Sequence, residues 1–254
     1  MTKEMESHMQ CGTWELEERP RGRRVIGSKW VFTLPLNADN TIRKWKARLV
    51  AQGFSQTAGV DYKETWSPVV KKESVRFILA MAAVHNLDLF HDVSTAYLNA
   101  DIKEDTVIFM RQPKGFTEPG MVCRVRKALY GLKQSGRLWN KHLHADLTDM
   151  GLEQLQADPC LYQWRDGEKR VLMGVYVDDM IIATNCDSKK GEIQRMLQER
   201  YKMRGMSELG WVLNMRVTRD RENEILYLDQ DQYTQEILAD FNMENSNPMP
   251  TPAA

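Results

Sequence analysis

The chain lacks any apolar run long enough to cross a bilayer. Its longest, Val171 to Val177 and Met180 to Ala183, fall far short of the roughly 20 residues a spanning helix needs. The charged start, Met1 to Glu6, has no apolar stretch of the kind a secretion signal requires. A soluble, cytoplasmic chain with no membrane partner is therefore expected. Cysteine is also scarce, with 4 in 254 residues. Cys11, Cys123, Cys160 and Cys186 lie far apart and form no CxxC pair, which leaves out both a zinc ribbon and a disulfide framework. Repeats and low-complexity tracts are missing too, and only the proline-rich Asn247 to Ala254 reads as a linker or frayed tail.

A net charge of zero conceals an uneven placement of the charges along the chain. Residues 19 to 48 carry nine basic side chains against Asp39, and residues 111 to 142 carry eight against Glu118. The remainder is correspondingly acidic. Such separation suits a protein that grips phosphates with one part and metal ions with another. The competing reading is that both runs are solvated faces. Hydrophobic content of 42% is enough for a sizeable core.

Periodicity gives the elements. Val25 to Leu36 and Thr41 to Val50 read as two strands joined by the turn formers Asn37-Ala38-Asp39-Asn40. In the second strand Trp45, Ala47 and Leu49 alternate with Lys44, Lys46 and Arg48, which makes a basic hairpin. Glu73 to His85 is helical by the spacing of Val75, Ile78, Leu79 and Ala82, with Asn86 as its stop. A strand follows over Leu87 to Val93. Ser135 is placed to cap a helix running to Met150 and ending at Gly151, and Ser188 to cap one carrying Ile193, Met196, Leu197 and Tyr201. His142 and His144, two apart on the first of these, face different sides and read as structural. Trp211 to Arg219 and Ile225 to Leu228 read as further strands, and Tyr233 to Phe241 as a helix. Helices on one face of a mainly antiparallel sheet make an α+β fold.

The chemistry concentrates at Asp178-Asp179, which separate two apolar strands by the length of a tight hairpin turn. Adjacent carboxylates repel, and a divalent cation relieves them. Hard oxygen ligands select magnesium or manganese. A solvated turn is the alternative, since aspartate favours turns on its own account. A second strand ends in a carboxylate at Leu89-Phe90-His91-Asp92-Val93. With it the residues become recognisable. Tyr176-Val177-Asp178-Asp179 is similar to the YxDD box of reverse transcriptases, and Asp92-Val93-Ser94-Thr95-Ala96-Tyr97 resembles their first carboxylate motif. Lys46 to Gly53 (KARLVAQG), Gly59-Val60-Asp61-Tyr62 with Thr65-Trp66-Ser67-Pro68-Val69, and Lys127 to Gln134 (KALYGLKQ) resemble the copia-type retrotransposon branch. The boxes stand in the family's order over residues from about 12 to 245.

The resemblance implies a right-hand polymerase fold, with fingers at about 12–86 and 113–139 and palm at about 87–112 and 140–218. Residues 219–254 would begin the thumb or connection, the thumb being largely missing. It implies an RNA-directed DNA polymerase that uses two Mg2+ ions, or Mn2+, held by Asp92, Asp178, Asp179 and the Val93 carbonyl. Its partners would be an RNA or DNA template with a primer and deoxynucleoside triphosphates. Lys46 and Arg48 would meet the triphosphate, Tyr97 would gate against a ribose 2′-hydroxyl, and Gln134 would pack on the nucleotide. Tyr176, Asn214 and Met215 would lie at the primer. The structural alternatives are a core tyrosine at Tyr97, solvated side chains at Lys46 and Arg48, and an ordinary loop amide at Gln134. Asn214 departs from the family by replacing a glycine, though asparagine tolerates left-handed backbone. Ala100 stands where glycine is common, and Gly136 where proline or alanine is frequent. An inactive or domesticated copy that binds nucleic acid without catalysis is the alternative function, and another palm-type enzyme is a third, which Tyr97 opposes.

Overall fold

The computed structural model describes residues 1–34, 45–93, 97–103, 105–201 and 205–247, with Asp92 and Val93 by their backbone alone. The expected Asn37–Asn40 turn and the Ser94–Ala96 part of the first carboxylate motif lie outside them. The elements run α1 (Thr2–Cys11), β1 (Trp14–Glu18), β2 (Val25–Ile26), β3 (Ser28–Thr33), β4 (Lys46–Ala51), α2 (Lys72–Val84), β5 (Asp88–Val93), β6 (Ile108–Met110), β7 (Met121–Val125) and α3 (Ser135–Asp149). They continue with β8 (Glu153–Gln154), β9 (Leu161–Asp166), β10 (Lys169–Tyr176), β11 (Asp179–Thr184), α4 (Asp187–Arg200), β12 (Ser207–Glu208), β13 (Trp211–Val212), β14 (Met215–Asp220), β15 (Ile225–Asp229) and α5 (Asp231–Asp240). The result is α+β with antiparallel pairing throughout, except where β2 runs parallel to β6.

The central sheet has the order β12-β5-β11-β10-β9-β8. Strand alternation divides its side chains between two cores. Met173, Val175, Met180 and Ile182 pack with Trp139, Leu143 and Leu147 of α3 and Ile193 and Leu197 of α4. Leu89, Ile181 and Ala183 face the other way, onto Val75, Ile78, Leu79 and Ala82 of α2. Helices thus cover both faces, where one face was expected. This explains why β10 and β11 are apolar nearly throughout rather than alternating.

Several boundaries move for local reasons. The expected strand Val25–Leu36 breaks at Gly27, where the chain leaves one sheet for another: β2 pairs with β6, while β3 pairs with β4. The end of the Gln52 side chain fills the space beside Gly27, where a Cβ would lie 1.9 Å from its Oε1. The expected strand Trp211–Arg219 is a hairpin, with Val212 pairing with Met215 around Leu213 and Asn214 at φ 47° and 63°. Positive φ at both central residues is what a type I′ turn demands. Ser135 opens α3 instead of capping it. Its hydroxyl donates to the Leu129 carbonyl at 2.7 Å and accepts from the Leu129 N–H at 3.0 Å, closing the preceding turn on itself. Ser188 likewise sits inside α4, whose N-cap is Cys186. Asn86, at φ 48°, ends α2 as expected. No helix among the described residues is long and apolar enough to cross a membrane.

Candidate active site

The β10–β11 hairpin turns through Val177 and Asp178, with Tyr176 paired to Asp179. The expected turn of two carboxylates is thus shifted by one residue: Asp178 is in the turn and Asp179 is the first residue of β11. Val177 has φ 58°, a conformation that a β-branched side chain adopts only under strain. The indole N–H of buried Trp139 donates to the Val177 carbonyl at 2.6 Å and holds the turn from the α3 side.

β5 lies beside this hairpin. Asp179 pairs with Val93 and Met180 with Asp92. Directly opposed Cα atoms in such a ladder are about 4.5–5.5 Å apart. The backbone of Asp92 is therefore one strand spacing and one residue from that of Asp179. Among the described residues no group of three or more acidic, histidine or cysteine side chains assembles as a metal cluster, and the Asp92 side chain is outside that set.

Basic and aromatic groups close on the acidic turn. Asp178 is half-buried, and its Oδ2 accepts from the Tyr130 hydroxyl at 3.1 Å. The Tyr130 ring meets Tyr97 edge-on at 4.7 Å between centroids, and the Arg48 guanidinium lies 5.3 Å from its centre. Burial, and after it the Asp178 charge, raises the Tyr97 phenol above its ordinary value. Asp179 is raised by the protein packed around it and then by Asp178, with His91 and Lys46 pulling the other way. A carboxylate raised by burial and then by a second carboxylate beside it is a place where negative charge is under-compensated. A hard divalent cation fits that donor set.

Of the nucleotide residues expected from the sequence, Lys46, Arg48 and Tyr97 have interactions that tie them to this corner. Gln134 is buried, its amide donating to the Asp61 carbonyl and accepting from Gln56, both at 3.0 Å. That geometry pins the 53–62 loop to the turn before α3. On the other side of the hairpin, Tyr176 and Asp179 share a cavity of about 210 Å³ with His91, Trp211 and Leu213. Asn214 is exposed at the tip of the β13–β14 hairpin, and Met215 packs beneath it. His144, as expected for a structural residue, hydrogen bonds Tyr162 at 3.1 Å.

Sequence reasoning passed over Tyr130 and Trp139. Both lie in or just after the Lys127–Gln134 box. The available signal was an aromatic residue placed directly before Gly131, whose φ of +90° forces the chain back against β4.

A model of the family described as reverse transcriptase (RNA-dependent DNA polymerase) matches residues 11–254. The retrovirus-related Pol polyprotein from transposon TNT 1-94 of Nicotiana tabacum is 38% identical over 259 residues, a match covering 100% of this chain and 19% of that protein. The corresponding polyprotein from transposon RE1 of Arabidopsis thaliana is 35% identical over 259 residues, covering 100% and 17%. A solved foamy viral protease-reverse transcriptase in complex with double-stranded DNA aligns with a TM-score of 0.44 at 14% identity, over 95% of this chain and 35% of that one, a likeness too slight to carry an argument. The chain belongs to the reverse transcriptase family. Within it, the chain is of the copia-type retrotransposon branch, and it spans about a fifth of the length of the curated relatives it matches.

Proposed function

We propose that the chain is the polymerase part of a copia-type element: an RNA-directed DNA polymerase that adds deoxynucleotides to a primer 3′-hydroxyl on an RNA or DNA template. The observation that supports this most is the β5–β11 register, which sets the Asp92 backbone beside the Asp178-Asp179 turn. In this reading the β3–β4 hairpin and the basic 113–139 region are fingers and the central sheet is the palm. Residues 219–254 begin the thumb.

Asp92, Asp178 and Asp179, with the Val93 carbonyl, would hold two divalent cations, magnesium or manganese. When bound, such ions lower the pKa of an attacking hydroxyl and neutralise a triphosphate and its leaving pyrophosphate. The chain's own residues do the rest. Lys46 and Arg48 bring positive charge from β4 to the triphosphate, and Tyr97 sets the floor under the sugar, where a 2′-hydroxyl would collide. Tyr176 and the β13–β14 hairpin with Asn214 and Met215 border the primer end. Gln134, fixed by Asp61 and Gln56, would pack on the incoming nucleotide.

The test is primer extension on an RNA template with deoxynucleotides and magnesium, comparing the chain with Asp178→Asn. Extension by the wild-type chain and a loss of at least about a thousandfold in the variant are expected, because the positioned charge at the reacting phosphate is the main catalytic term. Equal extension by both overturns the site. Nucleic-acid binding without extension by either folded protein favours an inert copy.

A further inference from the structure

Tyr130 stands between two parts of the molecule that the proposed reaction must keep in register. Its backbone is fastened to β4: the Ala51 N–H donates to the Tyr130 carbonyl at 2.8 Å. The next residue allows no slack. Gly131 has φ +90°, and a Cβ there would lie 2.1 Å from the Ala51 carbonyl oxygen and 2.6 Å from Val50 Cγ1. The crossing is reciprocal, since a Cβ at Gly53, just past β4, would lie 2.0 Å from the Gly131 carbonyl oxygen. Backbone against backbone, Tyr130 therefore moves only when β4 moves.

Its side chain then spans to the hairpin turn. The ring meets both the Arg48 guanidinium and Tyr97, and the hydroxyl ends at Asp178 Oδ2, 3.1 Å away. Asp178 is in a two-residue turn whose backbone Trp139 holds at the Val177 carbonyl, a contact that leaves the rotation of the Asp178 carboxylate unset. A hydrogen bond from a rigid phenol restricts its rotation while leaving Oδ1 free for a cation. Groups that orient a metal-binding carboxylate in this way typically matter 10- to 100-fold for metal affinity or activity.

We propose that Tyr130 is a positioning residue for Asp178, a strut that sets the carboxylate's orientation from β4 and makes the Arg48 and Asp178 positions interdependent. This rests on the reading of Asp178 as a metal ligand. The cleanest variant is Tyr130→Phe, which keeps the ring under Arg48 and against Tyr97 and removes only the hydroxyl. Mn2+ binding to the whole chain, without nucleic acid or nucleotide, is followed by electron paramagnetic resonance for wild type, Y130F and D178N.

Y130F is expected to bind Mn2+ about tenfold more weakly than wild type with an unchanged thermal midpoint. In primer extension its kcat falls while its KM for deoxynucleotide stays put, because Arg48 keeps its aromatic support. Tyr130→Ala removes that support and raises KM as well. Wild-type Mn2+ affinity in Y130F, alongside its loss in D178N, overturns the strut and leaves the metal site standing. Unchanged affinity in D178N instead removes the metal-site reading beneath it. A Y130F chain that loses its fold also overturns the proposal, since the hydroxyl would then support the fold rather than one carboxylate.

Discussion

Met180 stands directly opposite Asp92 across the β5–β11 pair. The relationship is fixed from both sides of the sheet. Met180 and Ile182 fill the core under α3 and α4, and Ile181 and Ala183 fill the one under α2. A slip of one residue would exchange these sets, driving each into a space shaped for the other. The two cores thus determine which backbone position of β5 lies next to the Asp178-Asp179 turn.

Met180 is fully buried, so truncating it should weaken the register as well as the core. Met180→Ala is expected to cost about 2–4 kcal/mol in denaturant unfolding, and Met180→Leu less than about 1.5 kcal/mol. In primer extension the alanine variant should lose turnover even at temperatures where it is fully folded. An alanine variant as stable as wild type would mean that the side chain does not set the strand's place.

Asp179 gives a prediction about metal. Its carboxyl is raised by burial and by Asp178, so at neutral pH the folded chain holds a charge it disfavours. Replacing that charge should stabilise the metal-free protein, and Asp179→Asn is expected to melt slightly above wild type at pH 7. Magnesium should reverse the ranking. A ligand at a hundred times its Kd adds about 2.7 kcal/mol, which raises the midpoint of a domain this size by about 5–10 °C. The rise should be strong in wild type and much reduced in D179N. An equal rise in both proteins would place the bound ion elsewhere.

The strands that carry the acidic residues were legible because an apolar run interrupted by two aspartates has few other solutions. The long helices were legible because their apolar spacing is strong. What was not legible depended on contacts distant in sequence. That Asp61 and Gln56 occupy the Gln134 amide cannot be read from its own box. The break at Gly27 is invisible without Gln52 packed against it. The N-terminal helix α1, with Met5 and His8 buried, was unread because its mean apolarity is low and its first residues are charged. The one-residue shift of the hairpin turn came from Val177, which no propensity would put at positive φ.

Asp158 is a further residue that local pattern missed, and it makes the fold's acid sensitivity testable. It is buried just before β9 and accepts from Ser74 Oγ at 2.6 Å, from the Cys160 N–H at 2.9 Å and from the Lys71 N–H at 3.1 Å. It thereby joins the sheet to the start of α2. Burial pushes its carboxyl up, but the bonds from Ser74, Cys160 and Lys71 outweigh that and hold it below the ordinary 3.8. A depressed carboxyl contributes stability that is fully present above its unfolded value and is lost as pH falls through its folded one. Asp158→Asn should therefore cost about 2–4 kcal/mol at pH 7. The gap from wild type should narrow only as the pH drops below about 4. A gap that stays constant down to pH 2 would show that the charge itself contributes nothing.

Gly131 joins the fold to the site most tightly. Two independent penalties await a side chain there: a φ of +90° and a Cβ 2.1 Å from a backbone oxygen that cannot rotate away. Gly167, in the turn between β9 and β10, separates them, because it also has positive φ, +58°, but open space around it. Gly167→Ala should cost only the conformational part, about 1–2 kcal/mol. Gly131→Ala should cost upwards of about 4 kcal/mol, the range reserved for strain that packing cannot relieve. If a permissive temperature lets G131A fold, β4 and the 129–135 turn must have separated, and Tyr130 with them. Its Mn2+ affinity should then fall at least as far as that of Y130F, although residue 131 touches no carboxylate. A G131A chain that folds, binds Mn2+ normally and extends a primer at the wild-type rate would show that β4 and the acidic turn are set independently of each other.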